Sequence, residues 1–270
     1  MKKKRSYSDQ QPQQGHHTRF KHNHNQQQQS PYATFPPSYS QYSGAAAEVD
    51  YRLQEKRKKV QIYPKNLSQE NYLLKLNNIK KMIIFAIGPA GTGKTMLGVQ
   101  WAVDQLKLGK VDKIIVTRPA VSVDEEHGFL PGDLNEKMAP WTRPIFDVLS
   151  ENYSAKDIEN FVKEGIIETS PLAYMRGRTF KNAIIIADEM QNATPSQMKM
   201  LLTRLGENSK MVVTGDLQQA DRPTNNGLLE FLGLYDNFTN HQYVDICHFT
   251  VEDIERHVAV KEILAIYGEV

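Results

Sequence analysis

The stretch GPAGTGKT, residues 88–95, sets three glycines, a lysine and a threonine at the spacing G-x-x-x-x-G-K-[ST]. The apolar run IIFAI precedes it and a second apolar run follows, so its context is strand, tight loop, helix. Glycines let a backbone curl until successive N–H groups point inward at an anion. A helix starting near Lys94 adds the positive end of its dipole. Gly88, Pro89, Ala90, Gly91, Thr92, Gly93, Lys94 and Thr95 are therefore candidate phosphate-binding residues. In this pattern Lys94 reaches the outer phosphates and the Thr95 hydroxyl ligates Mg2+.

A second constellation is NAIIIADEMQNAT, 182–194. An apolar run delivers Asp188 and Glu189 at its C-terminal end, which is where ligands bind in a parallel sheet. Asp188 is suited to hold Mg2+ through water, and Glu189 to polarise the water that attacks a terminal phosphate. Alone, two acids at a strand end read as solvent-facing residues. After a phosphate loop they point to nucleotide hydrolysis. A third element, MVVTGDLQQAD at 211–221, ends an apolar run in Gly215-Asp216, with Gln218 following. It reads as a polar cluster that senses the γ-phosphate, or as an ordinary Gly-Asp turn.

These residues need strands and helices to bring them together. Six short β-branched runs occur: MIIFAI (82–87), KIIVT (113–117), GIIET (165–169), NAIIIA (182–187), KMVVT (210–214) and VDICHF (244–249). Continuous apolar runs of this length predict strands buried on both faces. Helical patterns lie between them. The clearest is 194–206, with Thr194 at the N-cap, Pro195 at the first position and Gln197 at capping-box spacing. Met198, Leu201, Leu202 and Leu205 form its apolar face, and Gly206 is its stop. Alternating strands and helices predict an α/β fold: a three-layer parallel sheet with right-handed crossovers.

The 270-residue chain carries a net charge of +2 that hides an asymmetry. Residues 1–50 hold six Lys/Arg and three Asp/Glu; the remainder is close to neutral. Any nucleic-acid site is then a local patch rather than a bulk property. The lone Cys247 closes no internal disulfide, which suits a reducing compartment. No apolar run approaches the roughly 20 residues that span a bilayer, so no membrane partner is expected. No apolar core follows the opening MKKKR, so it does not read as a secretory signal. Residues 1–48 contain no Leu, Ile or Val and are rich in Gln, His and Tyr. Such a segment buries too little to offset its ordering entropy, and 1–55 is predicted to be a disordered polar tail. The run RLQEKRKKV at 52–60 reads as a charged helix start or a phosphate-touching hinge.

Together with GPAGTGKT, four further stretches closely resemble the PhoH-like proteins. They are VTRPAV (116–121), GFLPGDLNEKMAPWTRPIFDVL (128–149), PLAYMRGRTFKNAIIIADEMQNAT (171–194) and LLTRLGENSKMVVTGDLQQAD (201–221). The resemblance runs from about residue 60 to 270, is to the short phage-type members, and implies the cytoplasm (the host's, for a phage protein). It implies a RecA-like P-loop NTPase domain related to the first motor domain of superfamily-one helicases, with ATP and Mg2+ as cofactors. By that likeness IYPKNLSQENYLL (62–74) is similar to the helicase Q-motif, where Gln69 would read the adenine edge and Tyr72 pack on the base. DEMQ is similar to the DExQ box, with Gln191 coupling nucleotide to nucleic acid. GDLQQ is similar to GDxxQ, with Gln218 near the γ-phosphate. Arg118, in TRP at 117–119, would touch a nucleic-acid strand, as would Arg176 and Arg178 flanking Gly177.

Such motors place ATP between two RecA-like domains, and 60–270 has room for one. The resemblance therefore implies either a ring such as a hexamer, with a neighbour supplying an arginine, or a weak unpaired ATPase. Arg204 and Arg256 are the arginine candidates; Arg256 reads equally as a surface salt bridge with Glu252 or Glu255. Trp101 and Trp141 read as core. The tail holds only Asp9, Glu48 and Asp50, so a nuclease domain of the kind fused to some family members is not expected. The leading expectation is an ATPase acting on RNA or single-stranded nucleic acid. A nucleotide-gated regulatory or scaffold protein is the second, and a small-molecule kinase is disfavoured by DEMQ and GDLQQ.

Overall fold

The computed structural model describes residues 60–119, 143–221 and 224–267. The tail assigned to 1–55, the basic run through residue 59, Trp141 and most of the stretch 128–149 lie outside them. The described elements run α1 (Leu67–Asn77), β1 (Ile83–Ile87), α2 (Lys94–Lys107), β2 (Lys113–Thr117), α3 (Ala155–Lys163), β3 (Ile167–Thr169), β4 (Ala183–Ala187), α4 (Pro195–Leu202), β5 (Lys210–Gly215), α5 (Gly227–Asp236), β6 (Val244–His248) and α6 (Val258–Tyr267). Residues 143–150 are also helical. All six expected strands form, within a residue or two of their apolar runs.

The strands make one sheet in the order β3-β2-β4-β5-β1-β6, and every pairing is parallel. Side chains alternate between two cores. Ile84, Ala86, Ile114, Ile184 and Val212 meet α1, α2, α3 and the 143–150 helix on one face. Phe85, Ile87, Ile115, Ile185 and Val213 meet α4 and α5 on the other. This is the expected three-layer α/β architecture, and burial on both faces is why the four inner strands read as unbroken apolar runs. The edge strands β3 and β6, expected to be buried as well, are only partly so, with Glu168, Asp245 and His248 interrupting them. Trp101 is in the first core, with its indole N–H donating to Asn77 Oδ1 at 3.1 Å. No helix among the described residues is long and apolar enough to cross a membrane.

The start of α4 forms as its sequence specifies. Gln197 Oε1 accepts the Thr194 N–H at 2.9 Å, and the Thr194 hydroxyl accepts the Gln197 N–H at 3.3 Å. Its end does not. The helix stops at Leu202, and Leu205 instead pairs with Phe180 in a parallel bridge. A Cβ on Gly206 would lie 2.4 Å from Phe180 O, so this glycine permits a close approach of two chains rather than terminating a helix.

The register decides function. Ile87 is level with Gly215 and with His248, Ala187 with Val213, and Thr117 with Ala187. Residues 88–95, 188–189, 215–216, Arg118 and Phe249 therefore leave the sheet at one edge. Three bonds extend the ladder by one step: Gly88 N–H to Gly215 O at 3.1 Å, Asp188 N–H to Thr117 O at 2.9 Å, and Phe249 N–H to Ile87 O at 2.7 Å. β5 lies between the strand that feeds the glycine loop and the strand that delivers the acids.

Candidate phosphate-binding site

The loop between β1 and α2 curls through left-handed backbone at Gly91 and Gly93, each with φ 84°. Gly93 is the N-cap of α2, and no side chain caps that helix. Its first turn also lacks an acidic residue, so its orphan N–H groups and dipole are left for an anion. Thr92 is buried and braces the loop, its hydroxyl donating to Pro89 O at 3.0 Å. Lys94 folds over the loop. Its Nζ donates to Gly88 O at 2.7 Å and Pro89 O at 2.6 Å. Burial lowers its pKa from the ordinary lysine value, and the carboxylates of Asp216, Glu189 and Asp188 oppose that shift.

The acids meet the loop across β5. Asp188 Oδ1 accepts the Thr95 hydroxyl at 2.7 Å and also the Thr214 hydroxyl. Two neutral donors converge on one carboxylate oxygen, and Oδ2 has no hydrogen bond among the described residues. Hydroxyl plus carboxylate is an all-oxygen set of the kind that holds Mg2+ in company with phosphate and water, so the residues fit that ion. Glu189 occupies left-handed backbone at φ 54°, which is uncommon outside glycine and collects at functional sites. Gln191 is 1% exposed and bridges two motifs: its Nε2 donates to Glu189 Oε2, and its Oε1 accepts the Asp216 N–H at 3.1 Å. The result is a cleft of about 290 Å³ lined by Ala90, Gly91, Gly93, Lys94, Thr95, Asp188, Glu189, Thr214, Asp216 and Gln219, walled by Met96, Pro144 and Val148.

Several expected residues stand elsewhere. Gln218 is exposed and outside the cleft lining, which Gln219 enters instead. Counted as G-D-x-x-Q from Gly215, the glutamine of that motif is indeed Gln219. Tyr72 does not face a base: it is fully buried in the core under α1, edge-on to Phe249 at 5.7 Å. Gln69 is 1% exposed with both ends of its amide engaged. Its Oε1 accepts the Lys65 N–H at 2.8 Å and its Nε2 donates to Thr92 O at 3.1 Å, so it braces the loop instead of offering an edge to adenine. Arg178 forms a two-pronged ion pair with Glu168 and lies over the Phe180 ring at 4.7 Å. Its charge is spent on structure. Arg176 is exposed and Arg118 half-buried at the ligand edge, its carbonyl accepting the Leu172 N–H at 3.2 Å.

The arginine candidates separate. Arg204 precedes β5, at the sheet edge opposite the cleft. Its guanidinium donates to Met200 O at 3.1 Å, Arg178 O at 3.2 Å and Thr203 Oγ1 at 3.1 Å. Arg256 makes no salt bridge with Glu252 or Glu255 and lies against Gly91 of its own chain. Sequence reasoning placed Asp216 in the expected polar cluster but left Thr214 and Gln219 out of the site. The local signal for them was the polar ending T-G-D-x-x-Q on an otherwise apolar strand.

A family model described as PhoH-like protein matches residues 61–268. The PhoH-like protein of Bacillus subtilis is 44% identical over 207 residues, covering 76% of this chain and 63% of the relative. Protein PhoH of Escherichia coli K12 is 43% identical over 211 residues, covering 77% and 58%. The chain thus spans about three-fifths of the length of the curated relatives it matches. Among solved structures, the Sulfolobus solfataricus SWI2/SNF2 ATPase core in complex with dsDNA aligns with a TM-score of 0.42 and 13% identity, covering 74% of this chain and 48% of that one. With a phosphate loop, an acid pair and the family-model match over residues 61–268, the chain belongs to the PhoH-like protein family.

Proposed function

We propose that the chain is a Mg2+-dependent ATP hydrolase whose turnover responds to RNA or single-stranded DNA and to self-association into a ring. The observation that carries hydrolysis is the continuous link from Thr95 through Asp188 and Glu189 to Gln191 and Asp216. Binding alone needs only the glycine loop and Lys94. A positioned carboxylate at the terminal-phosphate end adds a group able to take a proton from attacking water. Glu189 is that group, because Asp188 already receives two hydroxyls. When bound, Mg2+ neutralises charge on the outer phosphates. Lys94 and the α2 amides hold the phosphates, and Gln191 links the orientation of Glu189 to the backbone of Asp216.

Among the described residues, no arginine lines the acid side of the cleft. A second copy supplies that cation in the ring reading. Arg176 is exposed and can reach either a nucleic-acid strand, as its sequence suggests, or a neighbouring copy, whereas Arg204 must release three intrachain bonds to serve. ATP turnover per chain is expected to rise with protein concentration and with added single-stranded RNA or DNA, and to fall in Arg176→Ala or Arg204→Ala. Turnover that stays flat in both variables sinks the ring and the nucleic-acid coupling, and leaves a nucleotide-gated binding protein.

Thr214→Val tests the metal end. The swap keeps shape and removes one hydroxyl from Asp188. The Mg2+ concentration for half-maximal turnover is expected to rise about 10-fold, as for other outer-shell partners. An unchanged Mg2+ dependence would mean that this hydroxyl does not orient the carboxylate.

A further inference from the structure

The segment after β6 crosses the glycine loop on the side away from the acids. The Glu255 N–H donates to Gly91 O at 3.0 Å. Asn66 Nδ2, at the N-cap of α1, reaches Asp253 O and Glu255 Oε1, both at 3.3 Å. Arg256 lies directly on Gly91: a Cβ placed there would fall 2.4 Å from Arg256 Nε, 3.1 Å from its Cγ and 3.2 Å from its Cδ. A side chain at 91 would push this arginine aside, and the backbone there, at φ 84°, favours glycine. The guanidinium is half-buried and has no hydrogen bond or ion pair with any described residue.

The sheet order fixes which part of a nucleotide would meet it. Asp188, Glu189 and Asp216 come from β4 and β5, on one side of β1, and they define the terminal-phosphate end. Arg256 arrives from β6, on the other side. With its outer phosphates at Lys94 and the acids, a nucleotide leaves the loop with its nucleoside on the β6 side.

We propose that Arg256 binds the nucleoside of a nucleotide held by its own chain, its planar guanidinium packing on the face of the base. It does not act as a neighbour's arginine. Stacking of a delocalised cation on an aromatic face needs planarity as well as charge, which lysine does not supply. Because every base presents such a face, the contact strengthens binding without selecting adenine. This rests on the nucleotide-binding reading above, and the experiment separates the two.

Equilibrium binding of ATP, GTP and inorganic tripolyphosphate is measured for the wild type, Arg256→Ala and Arg256→Lys, with circular dichroism confirming the fold of each. Both variants are expected to weaken ATP and GTP about 10-fold and to leave tripolyphosphate, which has no base, unchanged. At an ATP concentration below the Kd of Arg256→Ala, equal mixtures of Arg256→Ala with Lys94→Ala chains are expected to hydrolyse at no more than the average of the two parents, since cis residues cannot complement. Equal losses for ATP and tripolyphosphate, or full rescue by lysine, would turn the contact into a phosphate contact and overturn the proposal. Recovered hydrolysis in the mixture would overturn it in favour of an arginine acting in trans. Wild-type protein that binds neither ATP nor tripolyphosphate overturns the nucleotide reading and this one together. Wild-type binding with an indifferent Arg256→Ala overturns this one alone.

Discussion

Glu189→Gln is expected to lower ATP turnover by about 10²–10⁴-fold, the range for loss of a positioned general base, with ATP affinity close to wild type. The substitution keeps the shape of the side chain. It also keeps an oxygen to accept the Gln191 Nε2 donor, so the bridge from Gln191 to the Asp216 N–H stays in place. What disappears is the ability to take a proton. Backbone geometry supports the assignment: Glu189 is held at φ 54°, off the regular path of the chain leaving β4, and turns its carboxylate toward Gln191 at the cleft wall. Asp188 cannot readily replace it, because the hydroxyls of Thr95 and Thr214 both point at its Oδ1. Measured turnover within about 10-fold of wild type would remove Glu189 from the role of base and would leave Asp216 as the remaining cleft carboxylate to test.

The sheet was legible because burial on both faces of the four inner strands writes itself as nearly uninterrupted apolar residues; the edge runs also became strands, though only partly buried. Lys94, Asp188 and Glu189 were legible for a related reason. Each sits at a fixed offset from an apolar run, so local sequence carries its position. The misreadings fall where position depends on something non-local. The end of α4 is set by the pairing of Leu205 with Phe180, a contact between segments about 25 residues apart, and not by Gly206. Arg256 reaches the loop only because β6 lies beside β1, a fact of strand order that no window of sequence contains. Gln69 and Tyr72 are different. Their spacing with Leu76, i, i+3, i+7, puts all three on one face of α1, and that face is the buried one. The periodicity already argued that neither would face a base, and the family likeness to a Q-motif was carried further than the helix allows. For the same reason Gln69 holds the Thr92 carbonyl, fixing the loop from behind.

Lys94→Ala is expected to abolish stabilisation by MgATP while changing the unliganded protein little. In the structure the ammonium donates to Gly88 O and Pro89 O. Deleting it leaves the half-buried Gly88 carbonyl without that donor, while Pro89 O keeps the Thr92 hydroxyl, so the loss is about 1 kcal/mol, at the low end of the range for an unsatisfied group. It also relieves the desolvation of a charge whose pKa burial has already pushed down. The two effects oppose one another, so the melting temperature without ligand should move by a few degrees at most. The liganded state has no such compensation. A nucleotide at 100 times its Kd stabilises the wild type by about 2.7 kcal/mol. At about 2–4 °C per kcal/mol for a domain of this size, the melting temperature should rise by roughly 5–10 °C. In Lys94→Ala that rise should vanish, and turnover with it, because the loop amides alone face the full charge of the triphosphate. A melting scan of both proteins with and without MgATP reads all four states. A mutant that still rises by the wild-type amount would mean that the ammonium stays on the loop carbonyls when nucleotide is bound, and that the α2 amides alone hold the phosphates.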